Sequence, residues 1–314
     1  MGEKSVILRI CVTGGAGYLG SLLVPRLLEE DYEVTVLDNC MFGNDTILAS
    51  CCANRNFEIY RVDCRDVDAM RPYLAKADVV IPLAALVGAP ICYLNPTDAD
   101  ILNRISMLRM LEGLSKDQFV IFPSTESVYG KQSELCDEQT LPNPLVSYGV
   151  QKLEVERAIE ARGNGVSFRM ATLFGMSPRM RLDLLVNDFT WRAMKDRSLV
   201  VFEGKAMRTC LHVDDAARAF VHILQVAPPA YEVYNIGSVY VSKLGLCKTI
   251  QSRLPEFFYT EAQYHSDPDK RDYVVSDKKI RATGYEPEWT LEQGIDELLK
   301  GYRCLHNSRH SNMP

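Results

Sequence analysis

A glycine-rich turn at residues 13–20, Thr-Gly-Gly-Ala-Gly-Tyr-Leu-Gly, constrains this chain more than any other stretch. It follows an apolar, β-branched run at 6–13 and leads into a segment with Leu22, Leu23, Leu27 and Leu28 at helical spacing. A strand that enters a helix through such a turn belongs to a parallel α/β sheet. The glycines let the backbone approach a pyrophosphate, and the free N–H groups at the helix start hold the anion. Gly14, Gly17, Tyr18 and Leu19 are therefore candidate contacts for a dinucleotide.

The rest of the first half keeps the same rhythm. Strand-like runs at 33–37, 57–62, 79–83, 118–123 and 166–171 alternate with helical patterns, notably 98–114 and 147–161. This predicts an α/β fold, a Rossmann-type doubly wound parallel sheet with right-handed crossovers. After about residue 175 the segments become mixed and more polar, with helices expected at 182–194, 214–225 and 291–302. We read residues 1–175 as a cofactor-binding domain and 176–307 as a smaller mixed α/β substrate lobe, some of which crosses back. Residues 308–314 read as a frayed tail.

The second strand run ends at Leu37-Asp38-Asn39, with Asp38 18 residues beyond Gly20. A carboxylate there accepts from the ribose hydroxyls and repels a 2′-phosphate, and no Lys or Arg immediately follows it. The expectation is NAD over NADP. The alternative is that Asp38 only caps a loop. Asp63, after the third strand, either accepts from the adenine amino group or serves as a turn residue.

Tyr148 and Lys152 are four apart on a predicted helix and so share a face. A phenol near its ordinary pKa of about 10 is a poor base, and bringing it to about 7 takes about 4 kcal/mol of charge stabilisation. A neighbouring ammonium and an oxidised nicotinamide both act in that direction. Tyr148 is then a base for a sugar hydroxyl. The spacing alone occurs often by chance; its place after the fifth strand gives it meaning. Thr125, in Ser124-Thr125-Glu126-Ser127-Val128-Tyr129-Gly130, follows that strand and can orient the reacting hydroxyl, or can simply make a turn.

Composition excludes other classes. The net charge of −6 and pI near 5.5 argue against a nucleic-acid partner. Ten cysteines form no CxxC pair, and His212, His222 and His265 show no zinc-ligand spacing, so neither a metal nor a disulfide framework is expected. Reduced thiols imply the cytoplasm. No run is long enough to span a bilayer, and Ser5 lies one place early for the myristoylation pattern that Gly2 suggests.

Taken together, TGGAGYLG, the strand ending at Asp38, Leu83-Ala84-Ala85, Asn103, the STESVYG loop, YGVQK and the Arg208-to-Asp215 segment resemble the extended short-chain dehydrogenase/reductase family in order and spacing. The resemblance covers about residues 6–305. It implies NAD(P) in the N-terminal domain, with Leu83, Ala84, Ala85, Asn103 and Asn39 on the cofactor side, and a nucleotide sugar against the C-terminal lobe. It further implies Tyr148 as base, Lys152 on the nicotinamide ribose and Thr125 at the sugar hydroxyl. Arg208 and Arg271 would hold the diphosphate, and a homodimer would form through helices near 98–114 and 147–161. The strings at 81–90 and 169–187 and the DPDKRDY segment are similar to GDP-manno-heptose 4-dehydrogenase-type proteins and related epimerases. That implies a GDP-hexose or GDP-heptose, with Arg179 and Arg181 reaching phosphate or sugar.

Three outcomes are open after oxidation at C4. Dehydratases of the family carry Glu where this chain has Ser127, and Glu126 falls where the TDE-type enzymes carry a proton-donating acid. With half of that pair missing, a 4,6-dehydratase is not expected. An epimerase and a 4-dehydrogenase remain. A non-catalytic NAD-binding sensor is the reading from another class, but such proteins commonly lack the tyrosine or the lysine.

Overall fold

The computed structural model describes residues 7–132, 135–262 and 274–305. Arg271, His265 and the tail beyond 305 lie outside the described residues.

Seven parallel strands form the central sheet, in the order 232–236, 165–170, 119–125, 79–82, 9–13, 33–38 and 57–61. The first six in the chain lie where the strand-like runs place them. Strand Arg9–Thr13 pairs with both Glu33–Asp38 (Val12 opposite Val36) and Val79–Pro82 (Val12 opposite Ile81). It is buried on both faces, as a central parallel strand must be. The seventh strand, Glu232–Ile236, comes from the second half of the chain and pairs with Gly165–Met170.

Both faces of the sheet are covered. On one, Ile10, Val12 and Val166 pack with Leu23 and Leu27 of helix Gly20–Glu29, and the same core runs without a break into Phe174, Phe220, Leu246 and Ile295. On the other, Cys11, Val80, Val120 and Phe122 meet Met107, Met110, Val155 and Ile159. The smaller lobe holds a three-stranded sheet of Thr172–Phe174, Met207–His212 and Val239–Ser242, and a parallel pair of Ser198–Val201 with Phe258–Glu261.

The helix expected over 98–114 is present from Pro96 to Gly113, with a π-helical turn inside it. Before it, Asn95 leaves the helical region at φ −132° and ψ 61°, and Pro96 starts the new helix at Pro96–Asp100. A π-helical turn at Ile101–Ile105 then precedes helix Ser106–Gly113. The π turn carries Asn103 inward, 1% exposed. Helix Ser147–Arg162 is one piece and stops at Gly163, which takes a left-handed φ of 84°.

Candidate active site

The glycine turn is dictated by contact as much as by conformation. Gly14 has φ 68°, and a Cβ on it would come within 2.6 Å of the Ala84 nitrogen. A Cβ on Gly20 would lie 2.4 Å from the Gly15 carbonyl oxygen. The turn is thus pressed against residues 83–84 at the end of the neighbouring strand. Together they open a cavity of about 400 Å³ at the carboxyl edge of the sheet.

Most of the expected residues line this cavity: Gly14, Gly17, Tyr18, Leu19, Asp38, Asn39, Asp63, the 83–85 stretch, Tyr148, Lys152, Arg179 and Arg181. Ser124, Cys64, Phe42, Leu86 and Val87 join them. A backbone cradle that any Cβ would fill, with a carboxylate at the end of the second strand, fits a dinucleotide.

Asp38 is both brace and wall. Its carboxylate accepts from the Ala16 N–H at 3.0 Å and from the Cys40 N–H at 2.8 Å, so it ties the glycine turn to its own loop. Burial raises its pKa, opposed by those two N–H groups and by the charge of Arg179. Asp63 is held to about 2, chiefly by the Arg65 guanidinium that donates to it, with further help from the Asn39 amide.

Tyr148 and Lys152 are buried on the inner face of helix Ser147–Arg162. Lys152 Nζ donates to the Pro123 carbonyl at 2.8 Å and lies 4.6 Å from the centroid of Phe122 and 5.9 Å from that of Tyr148. Burial pushes its pKa down to about 8, against the opposing influence of Cys92 and Glu156. One turn further along, Glu156 accepts from Ser124 Oγ and pairs with Arg169 at 2.9 Å; Arg169 in turn donates to the Tyr129 hydroxyl at 3.1 Å. This buried chain ties the end of strand Phe119–Thr125 to the helix that carries Tyr148. Sequence reasoning did not identify it, although Glu156 stands a helical turn after Lys152.

Other expected residues make further contacts or lie outside the lining of this cavity. Asn103 does not line the cavity. Its amide accepts from the Leu86 N–H and donates to the Leu86 carbonyl, both at 2.9 Å, and donates to Gln151 at 3.1 Å, so it braces the wall from behind. The Tyr18 hydroxyl donates to the Gly175 carbonyl at 2.6 Å and accepts from Asn187 at 3.1 Å, so its phenol joins the two halves of the chain. Glu126 enters a tight 3₁₀ turn and is buried against Gly237, whose added Cβ would lie 3.1 Å from its Oε1; it does not line the cavity. Thr125 is buried beside it, hydrogen-bonded through Oγ1 to both Ser127 N and Ser127 Oγ. Arg208 is buried in the three-stranded sheet and does not line this cavity.

A strap from the second half of the chain covers the cofactor end. Ser177 Oγ donates to the Tyr18 carbonyl at 2.7 Å and lies 2.8 Å from Ser21 Oγ, and Arg181 donates to the Val87 carbonyl at 3.2 Å. At the strap's root, Gly175 (φ 111°) packs on His212, and Met176 N donates to the Glu297 carboxylate that His212 Nε2 also meets at 2.9 Å.

The family model described as the NAD dependent epimerase/dehydratase family matches residues 10–237. The chain belongs to this family. As an NAD-dependent nucleotide-sugar enzyme of the epimerase/dehydratase type, it is 30% identical over 324 residues to UDP-glucuronic acid decarboxylase 4 of Arabidopsis thaliana, covering 96% of this chain and 70% of that one. It is 29% identical to a putative UDP-glucose 4-epimerase of Methanocaldococcus jannaschii, over 92% of this chain and 97% of that one. Among solved structures, the UDP-glucuronic acid 4-epimerase of Bacillus cereus in complex with UDP-glucuronic acid and NAD superposes with a TM-score of 0.85 at 26% identity, covering 95% of this enzyme and all of that chain. The UDP-glucose 4-epimerase of Thermotoga maritima with UDP-glucose gives 0.82 at 27%, covering 94% and 99%.

Proposed function

We propose that this enzyme inverts the configuration at C4 of a UDP-linked hexose or hexuronic acid and keeps its NAD throughout. The observation that carries this reading is the strap, which ties residues 175–181 to Tyr18, Ser21 and Val87 across the cofactor cavity. A coenzyme held beside such a strap suits a reaction that is redox-neutral overall. A 4-dehydrogenase must exchange its coenzyme at every turnover.

When bound, NAD supplies the acceptor, and later the donor, of the C4 hydrogen. Gly14 and Gly17 leave room for its pyrophosphate, and Asp38 takes the adenosine ribose. Tyr148 removes the O4 proton and returns it when the ring presents its other face. Lys152 holds the phenolate's charge. Thr125 orients the hydroxyl from the end of its strand. Ser127 offers no carboxylate next to the oxidised carbon, which speaks against dehydration. With Glu126 turned toward Gly237, we leave it out of the chemistry.

The relatives' names support uracil as the base over the guanine implied by the subgroup resemblance. Helix surfaces that expose Ile105 and Val150, with Tyr93 and Leu94 nearby, support the homodimer. Ten cysteines, all free, support the cytoplasm. Among the described residues no helix is long and apolar enough to cross a membrane.

The test is to incubate the pure enzyme with UDP-glucose, UDP-glucuronic acid and a GDP-hexose, adding no NAD, and to follow product stereochemistry by NMR. The C4 epimer is expected, and Tyr148→Phe should slow it at least about 10³-fold. Product that forms only with stoichiometric added NAD would make it a dehydrogenase. A pentose product would make it a decarboxylase, since a 4-keto hexuronate is a β-keto acid that loses CO2. Unchanged turnover in Tyr148→Phe would sink the catalytic assignment.

A further inference from the structure

The absence of a basic residue just after Asp38 implies NAD, yet the fold brings one there from the strap. Arg179 is 7% exposed and lines the same cavity as Asp38. Its guanidinium sits 4.4 Å over the ring of Phe42, in the loop that follows the Asp38 strand. Among the described residues it donates one side-chain hydrogen bond, to the Met180 carbonyl at 2.8 Å. Arg181 differs, because Asp183 neutralises it directly. Arg179 also feels Asp38, whereas Arg181 acts on Tyr18 at the start of the helix. Arg181 lies close enough to be the largest charge acting on Arg179, while Arg179 shares the ribose corner with Asp38 and Phe42.

A buried guanidinium without an ion-pair partner is costly, and an anion beside it relieves that cost. Burial accordingly draws the pKa of Arg179 down to about 10, which leaves it a full cation at neutral pH. Its planar fork matches a phosphate. At the ribose corner the phosphate within reach is the one that distinguishes NADP from NAD.

We propose that Asp38 and Arg179 form an opposed pair that sets the choice between NAD and NADP, Arg179 being a ready-made 2′-phosphate subsite that Asp38 overrides. The carboxylate repels the phosphate that the guanidinium attracts, so the enzyme prefers NAD while keeping measurable affinity for NADP. The inference rests on the NAD site and is independent of what happens at the sugar.

Titration calorimetry of the full-length chain, freed of bound dinucleotide, tests it with NAD and NADP and with 5′-AMP and adenosine 2′,5′-bisphosphate, which lack the pyrophosphate bridge. Arg179→Met should weaken the two 2′-phosphorylated ligands at least about tenfold, the worth of one charge-assisted hydrogen bond, and NAD and 5′-AMP by less than about threefold. Arg179→Lys should restore part of the loss. Asp38→Ser should strengthen NADP at least about tenfold, a gain that Arg179→Met added to it removes. Because Asp38 also holds the glycine turn, the single Arg179 variant decides the matter should Asp38→Ser unfold. Equal weakening of NAD and NADP would place Arg179 on the pyrophosphate and overturn the proposal, and so would no change in either.

Discussion

Replacing Lys152 with methionine should remove activity and, at neutral pH, stabilise the fold. The ammonium is 3% exposed, and burial moves its pKa from an ordinary 10.5 to about 8. That shift corresponds to about 3 kcal/mol lost by keeping the charge inside at pH 7. Methionine fills the same volume without the charge, but it leaves the Pro123 carbonyl without its 2.8 Å donor, at a cost of about 1–2 kcal/mol. The net gain is about 1–2 kcal/mol. The sign with pH follows from linkage. The folded pKa lies below the unfolded one, so the penalty is complete below pH 8 and disappears as pH rises through 10.5. The wild type therefore gains stability across that window while the variant, lacking the group, does not. Denaturant unfolding of the coenzyme-free proteins at pH 7 and pH 10 measures both effects, and other titrations cancel in the difference. Turnover should fall at least about 10²-fold. A Lys152→Met variant less stable than wild type at pH 7, or a gap that does not narrow by pH 10, would refute the account of a strained buried charge.

Two further outcomes follow from the same geometry. Glu156→Gln leaves the Arg169 guanidinium buried without its 2.9 Å partner and should destabilise the fold by about 3–5 kcal/mol in denaturant titrations; the double variant Glu156→Leu/Arg169→Met should recover most of that. Gly14→Ala puts a methyl 2.6 Å from the Ala84 nitrogen at a φ of 68°, so the purified variant should lose its bound NAD, read from absorbance at 260 nm after acid release.

Six of the seven central strands coincide with β-rich runs in the sequence, most plainly Val79–Pro82, which is buried on both faces and has no room for polar residues. The seventh, Glu232–Ile236, is half-buried at the sheet edge and gave no such signal. The inner face of the Tyr148 helix carries Gln151, Lys152 and Glu156 beside Val155 and Ile159, so its periodicity is blurred, and the Tyr–Lys spacing located it instead. The π turn at Asn103 accompanies a tertiary demand, the paired hydrogen bonds to Leu86, that no local pattern carries.

The residues that were hardest to read are those that close the site, and the reason is topological. Tyr18 reaches Gly175 across 157 positions, and Ser177 reaches back to the Tyr18 carbonyl across 159. Helix Val213–Val226 packs on helix Gly20–Glu29, where Arg26 donates to Asp214, and a single apolar core runs from Ile10 to Ile295. A boundary at 175 therefore cuts through the strap's own root, where Gly175, Met176, His212 and Glu297 meet. A glycine turn can be recognised alone because its conformation is written in adjacent residues. The contacts that tie the second half of the chain to that turn come from residues more than a hundred positions away. In the proposed reading the distinction between epimerase and dehydrogenase rests on these contacts, because the Tyr148–Lys152 pair, in its proposed role, serves both reactions equally.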